Sequence, residues 1–343
     1  VVTQHAENAA FLWLQRNSAV LAPHYSLKDL ADLDERVEAN IDGLKIAGDR
    51  GWEICEQALA IEEPGEVFTA AVLAFKSRNG KHIDSVVNVG CKSRENCRAL
   101  ISALGWLPFA SVEKMLQWML SSKAHIYNYL GIAAYAIHRK DPGAGLAAAI
   151  DSSDLRVQAR ALRAVGELKR NDLLRLLKSR SQVNDESCQF WASWSALLIG
   201  DKTAVENLKK FVISDSPFCE PALRMILRVM DIQSAQSYLN VLSQDPEMLR
   251  IVVQGAGIIG DPVAVEWLIK LMENPAIARV AGEAFSMITG VDIAYEDLEG
   301  EWPEDFEAGP SENPEDEDVN MDADEDLPWP EPALVQTWWD NNK

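Results

Sequence analysis

Apolar helical runs in this chain end on a mark that returns about every thirty residues. The segments are Ala161-Leu-Arg-Ala-Val-Gly166-Glu, Ser195-Ala-Leu-Leu-Ile-Gly200-Asp, Ile226-Leu-Arg-Val-Met230-Asp, Ala256-Gly-Ile-Ile-Gly260-Asp-Pro and Phe285-Ser-Met-Ile-Thr-Gly290-Val. Weaker copies lie at Gly105 and near His138. Each helical pair of such a repeat cannot bury its apolar face alone, so neighbours must stack. The pattern predicts an all-α protein: a right-handed α-solenoid of HEAT-like repeats over residues 66–295. Leu162, Val165, Leu197, Ile199, Ile226, Val229, Ile258 and Ile259 are the expected core positions, and the Gly marks the expected helix ends.

Residues 1–65 fall outside this rhythm and read as an N-terminal helical cap. Phe11, Leu12, Leu14 and Leu21 suit one helix, and Leu27, Leu30, Leu33, Val37, Ile41 and Leu44 form a stripe at helical spacing on the next. Ser26 followed three places later by Asp29 has the form of a capping box. Gly48 and Gly51 are expected to end that helix, and Glu62-Glu-Pro-Gly65 marks a joint.

A second polar mark falls inside each repeat, at Asp154, Asp185 with Glu186, Asp215, Asp245 with Glu247, and Asn274. Such residues accept hydrogen bonds from the free N–H groups of a helix start. Stacked turns of this kind also set carboxylates along one edge of a solenoid. Asp154, Asp185, Glu186, Asp215, Asp245 and Glu247 are therefore the candidate partner-binding residues, with Trp302 and Asp305 from the C-terminal extension.

The net charge of −21 is unevenly placed. Of 53 acidic residues, 17 fall within 296–331, which has no Lys or Arg; the remaining 36 face 32 Lys and Arg. The repeat body is close to neutral. The extension, residues 296–343, reads as loosely ordered because it cannot bury enough apolar surface to offset ordering entropy. Trp302, Phe306, Trp329 and Trp338-Trp339 interrupt it as possible pegs. Arg156, Arg160 and Arg163 share one helix face and are followed by Lys169, Arg170, Arg175, Lys178 and Arg180. This cluster is a solvated face, a phosphate-binding surface or a receiver for the acidic extension.

No catalytic constellation is legible. The five His are dispersed, the five Cys are odd in number and unpaired in spacing, and no phosphate loop or nucleophile elbow occurs. Gly255-Ala-Gly257-Ile-Ile-Gly260 matches a dinucleotide pattern only superficially, since no strand precedes it. The reading is a non-enzyme with no cofactor and no metal. Scattered thiols, expected buried, fit a reducing compartment. No apolar run reaches the length of a membrane span, and His5, Glu7 and Asn8 interrupt any leader, so a cytoplasmic location is expected.

Asp29-Leu-Ala-Asp-Leu-Asp-Glu-Arg-Val-Glu-Ala-Asn-Ile-Asp-Gly-Leu-Lys-Ile-Ala-Gly48, Gly51-Trp-Glu-Ile-Cys55, Phe285-Ser-Met-Ile-Thr-Gly-Val-Asp-Ile293, and Asp326-Leu-Pro-Trp-Pro330 with Trp338-Trp339 together span nearly the whole chain. In these the chain resembles an uncharacterised family of proteobacterial HEAT-like repeat proteins. That resemblance implies genomic company with type VI secretion spike and effector genes. It carries no enzymatic residues. It implies an immunity protein that binds and neutralises an effector toxin, a cationic nuclease suiting the acidic charge. The alternative is an adaptor or chaperone loading an effector onto the secretion spike. Direct nucleic-acid binding is not expected of the near-neutral body.

Overall fold

The computed structural model describes residues 1–20, 22, 25–303, 306, 308–309 and 321–343. Among them the chain is helical, the only strand-like pairing being an isolated antiparallel bridge between Glu299 and Pro330. No helix is long and apolar enough to cross a membrane among the described residues. Two compact units form, Val1–Asn207 and Leu208–Lys343.

The first unit opens with α1 (Val2–Ala19), α2 (Leu27–Ile46) and α3 (Asp49–Ala58), which pack on α4 (Pro64–Ser77). The capping box forms as expected: the Ser26 hydroxyl accepts from the Asp29 N–H, and the Asp29 carboxylate accepts from the Ser26 N–H at 2.9 Å. Leu33, Val37, Ile41 and Leu44 are buried, whereas Leu27 is exposed on the first turn and Phe11 is exposed on α1. Trp13 stacks on Phe68 of α4 at 4.8 Å and donates to Ser102 at 3.0 Å, so the core of the N-terminal helices runs without a break into the helices that follow. Gly51 does not end a helix. It lies inside α3, where a Cβ would sit 2.4 Å from the Leu44 carbonyl oxygen.

Then come α5 (Gly80–Gly90), α6 (Arg94–Trp106), α7 (Phe109–Ser121), α8 (His125–Ile137), α9 (Ala144–Ile150), α10 (Leu155–Glu167), α11 (Leu174–Arg180) and α12 (Glu186–Leu198). Within this unit the even-numbered helices pack in order, α4 on α6, α6 on α8, α8 on α10 and α10 on α12. A further helix, α13 (Val205–Val212), crosses the limit between the units. The second unit continues with α14 (Cys219–Val229), α15 (Ile232–Leu242), α16 (Leu249–Ile259), α17 (Val265–Leu271), α18 (Ala278–Thr289) and α19 (Pro332–Asn342). There α14 packs on α16 and α16 on α18.

Polar side chains tie several of these helices back to chain 33 or 34 residues earlier. Asn96 donates to the Glu62 carbonyl at 2.7 Å, His138 to the Leu104 carbonyl at 3.0 Å, and Ser195 to the Leu162 carbonyl at 2.7 Å. In the second unit Gln254 donates to Glu220 at 3.0 Å. A buried donor must find an acceptor or lose its hydration uncompensated, so these bonds fix the register of the packed pairs.

The recurring marks divide into two physical roles. Gly200, Gly260 and Gly290 have positive φ and terminate their helices. At the corresponding earlier positions Arg139 and Lys169 carry the positive φ instead. Gly166 lies inside α10, where its missing side chain admits α12: a Cβ would stand 2.6 Å from the Ser195 Oγ. Met230 ends α14 in extended backbone. The core expectation divides likewise. Leu162, Val165, Leu197 and Ile226 are buried, but Ile199, Val229, Ile258 and Ile259 are only half-buried because they sit in the last turn, where the chain leaves the stack.

Candidate functional site

The acidic turn residues are first of all helix-start residues. Asp154 accepts from the N–H groups of Arg156 and Val157 at 2.9 and 3.2 Å. Burial pushes its carboxyl up, but the Arg156 guanidinium and those N–H groups prevail and hold it below the usual range. Asp185 accepts from the Cys188 N–H at 2.8 Å, and Asp245 from the Glu247 N–H at 3.0 Å. Asp215 does not cap. It is exposed in the turn, and the neighbouring Ser216 hydroxyl accepts from the Phe218 N–H at 3.2 Å. Glu186, Asp215, Asp245 and Glu247 present exposed side chains, whereas Asp154 is largely covered, its side chain 16% exposed.

A second set of caps escaped the sequence reading. Asp201, Asp231 and Asp261, which follow the helix-ending marks, accept from the N–H groups of Thr203, Ser234 and Val263. Their position straight after each mark was the available signal. Each stands at the start of the next helical segment.

The extension is held where it is described. Arg279, 4% exposed on α18, pairs with Asp322 at 2.7 Å and donates to the Asp324 carbonyl at 2.9 Å. Its guanidinium carbon lies 5.1 Å from the ring centres of both Trp302 and Trp329 and 6.0 Å from that of Phe306. Trp302 donates to the Phe306 carbonyl at 2.7 Å and remains half exposed. Arg250 on α16 takes Asp324 in a two-point grip, at 2.9 and 2.5 Å. The Gly300 N–H donates to the Trp329 carbonyl and the Glu331 N–H to the Leu298 carbonyl, closing the two ends of the extension against each other.

Val335 is fully buried, and Trp338 and Trp339 both meet Phe285 in T-shaped contacts, which seats α19. Loose ordering is therefore corrected for these stretches: two arginines and an aromatic cluster supply the compensation that composition alone did not reveal. The aromatic pegs are occupied within the chain. Asp305 lies outside the described residues.

Most of the basic cluster pairs with acids of its own unit. Arg160 and Arg163 both pair with Glu167, at 2.9 and 2.8 Å. Arg156 pairs with Asp154, Arg170 with Asp141 and Asp172, Lys178 with Asp201, and Arg180 with Asp151. Arg163 also stacks on Trp191, its guanidinium carbon 4.5 Å from the ring centre.

The remaining chemistry-bearing groups have structural surroundings. His82 stacks on Trp52 at 3.9 Å, and His5 bonds Asn40 at 3.0 Å. No group of three His, Cys, Asp or Glu is placed to hold a metal ion among the described residues. Cys55 and Cys188 are buried, and burial pushes both thiols up to about 12. Cys91 is exposed, against the expectation of a buried thiol. An open groove of about 580 Å³ lies between Phe109, Glu113, Leu120, Tyr135 and Lys140. Its Lys140 ammonium stands 5.7 Å from the Phe109 ring.

What the surface of each unit offers is thus charge held at helix starts and turns. Comparison with known proteins gives no matching family model and no matching curated protein.

Proposed function

We propose that this chain is a right-handed α-solenoid of HEAT-like repeats that acts without chemistry of its own, as an immunity protein. It binds and neutralises a cationic effector toxin of a type VI secretion system, a nuclease suiting the charge best, in the cytoplasm of the producing cell. The observation that carries this reading is the placement of Glu186, Asp215, Asp245 and Glu247. All four are exposed; Glu186, Asp245 and Glu247 stand at helix starts and Asp215 in the turn before α14, and these turns are tied to the frame by hydrogen bonds from backbone N–H groups. Carboxylates on such a frame lose little freedom on binding. They also attract a positively charged substrate cleft and speed its capture. The ordered packing of even-numbered helices and the bonds at 33- or 34-residue separation support the solenoid.

Co-expression with the toxin encoded beside this chain tests the reading. Cells are expected to survive with the chain and die without it. Charge reversal at Glu186, Asp215, Asp245 and Glu247 is expected to slow association, with the effect shrinking as salt is raised. Equal killing with and without the stably expressed chain would exclude immunity. A complex in which the toxin stays fully active would point to an adaptor that carries an effector to the secretion spike.

A further inference from the structure

Three arginines occupy one recurring place, the second residue of an even-numbered helix: Arg156 on α10, Arg250 on α16 and Arg279 on α18. In the second unit the last two are filled by this chain's own carboxylates, Asp324 on Arg250 and Asp322 on Arg279. The Arg279 guanidinium is at the same time stacked on Trp302 and Trp329. The chain therefore contains a worked example of what such a face accepts. It takes a short acidic segment, Asp322-Ala323-Asp324, which enters a turn and whose carboxylates are two residues apart.

The first unit carries the same chemistry with room left over. Arg163 is stacked on Trp191 at 4.5 Å, as Arg279 is on its tryptophans, and its side chain is still 45% exposed. Arg156, one turn of helix before Arg160, is 76% exposed, and its ion pair is with the capping Asp154 at 3.2 Å. Trp194 stands 5.5 Å from Trp191. The neighbouring Tyr129 phenol on α8 is pushed up by burial and Cys97, while the charges of Arg160, Arg163 and Arg94 pull against the rise. The acids on this face, Asp154 and Glu167, are covered and engaged, each 16% exposed, so the cations are what an incoming partner meets. Glu186 stands at the start of α12, at the margin.

We propose that the face of α10 and α12 formed by Arg156, Arg163, Trp191 and Trp194 docks an acidic peptide segment of a partner protein. The planar guanidinium forks grip carboxylates at two points. The Arg163–Trp191 stack holds one fork in place before the ligand arrives. Arg and Trp are also the side chains that dominate the energy of protein interfaces. A peptide is favoured over nucleic acid because the two arginines at the same helix place as Arg156, Arg250 and Arg279, already take aspartates. The surface adjoins the turns of Asp154 and Glu186 but does not rest on the toxin-neutralising reading, and a chain that neutralises no toxin would still carry it.

The test uses the full chain and a fluorescent synthetic peptide of sequence Met-Asp-Ala-Asp-Glu-Asp-Leu, which repeats residues 321–327. Saturable binding is expected, lost when the peptide's Asp and Glu become Asn and Gln. Arg156→Glu with Arg163→Glu is expected to weaken it by about tenfold or more. Arg156→Ala alone, at a side chain too exposed to matter for folding, is expected to weaken it by a smaller factor. Arg250→Ala is expected to leave it unchanged. No binding, binding indifferent to Arg156 and Arg163, or loss that follows Arg250 would overturn the proposal. Binding of a short DNA duplex, lost in the Arg156 and Arg163 variants while the peptide fails to bind, would overturn it in favour of phosphate recognition.

Discussion

Arg279 and Asp322 form an ion pair at 2.7 Å in which the guanidinium is 4% exposed and the carboxylate 14%. Sequence separates them by a stretch that composition marks as unable to fold by itself. The guanidinium also lies 5.1 Å from the ring centres of Trp302 and Trp329, so aromatic rings help to enclose the pair. A buried pair of this kind is stabilising relative to its broken halves, not relative to an apolar replacement.

Breaking that pair is the first prediction. Arg279→Ala leaves Asp322 without its counter-charge and empties the aromatic cluster, at an expected cost of about 3 kcal/mol. Urea unfolding followed by tryptophan emission measures it. A loss within experimental error would mean that the extension contributes nothing to the second unit.

Acid should act through the same pair. The Arg279 guanidinium holds the Asp322 carboxyl below its usual value of 3.8. A depressed carboxylate stabilises the fold fully above its unfolded value, and that stability is lost as pH falls through the lower folded value. The contribution is therefore constant from neutral pH down to about the ordinary carboxylate range and fades only below it. Asp322→Asn should remove this acid-side slope from a stability–pH profile while leaving the slope at neutral pH untouched.

The recurring glycines should fail in two different ways. Gly166→Ala drives a Cβ to 2.9 Å from the Ser195 Cα, a backbone atom that cannot step aside. An overpacking cost of about 1–3 kcal/mol follows. Ser195→Gly, which removes the contacting Oγ and Cβ, should recover part of that cost. Gly260→Ala meets nothing within 4 Å but has φ +72°. Its cost of about 1–2 kcal/mol is backbone strain, and no neighbouring substitution should relieve it.

Two acidic residues thirty apart in sequence should behave unlike each other. Asp185→Ala removes the acceptor of the Cys188 N–H and is expected to cost ~1 kcal/mol. Asp215→Ala removes an exposed group that caps nothing and should leave thermal stability unchanged. If both destabilise equally, the assignment of the cap to Ser216 is mistaken.

Thiol reactivity offers an independent check on the packing. Cys91 is exposed and should be modified first by an alkylating reagent, though partial burial raises its thiol and slows it at neutral pH. Cys55 and Cys188, raised to about 12 by burial, should react only on unfolding. Mass spectrometry of the modified peptides gives the order.

The sequence by itself determined the helical architecture and much of its punctuation. A period of about thirty residues, Asp and Ser before apolar runs, and Gly after them are local signals, because capping and left-handed backbone depend on a few adjacent residues. The capping box of Ser26 and Asp29 and the caps at Asp154, Asp185 and Asp245 were legible for that reason. Contacts between residues far apart in sequence were not. That Gly166 makes room for Ser195 rather than ending a helix depends on how closely α10 and α12 approach. That Trp302 and Trp329 enclose Arg279, and that Asp322 and Asp324 spend their charge on Arg279 and Arg250, depends on where the extension returns to the second unit. Composition reports how much charge a segment carries, but only tertiary structure decides which charges meet and which are left facing solvent for a partner.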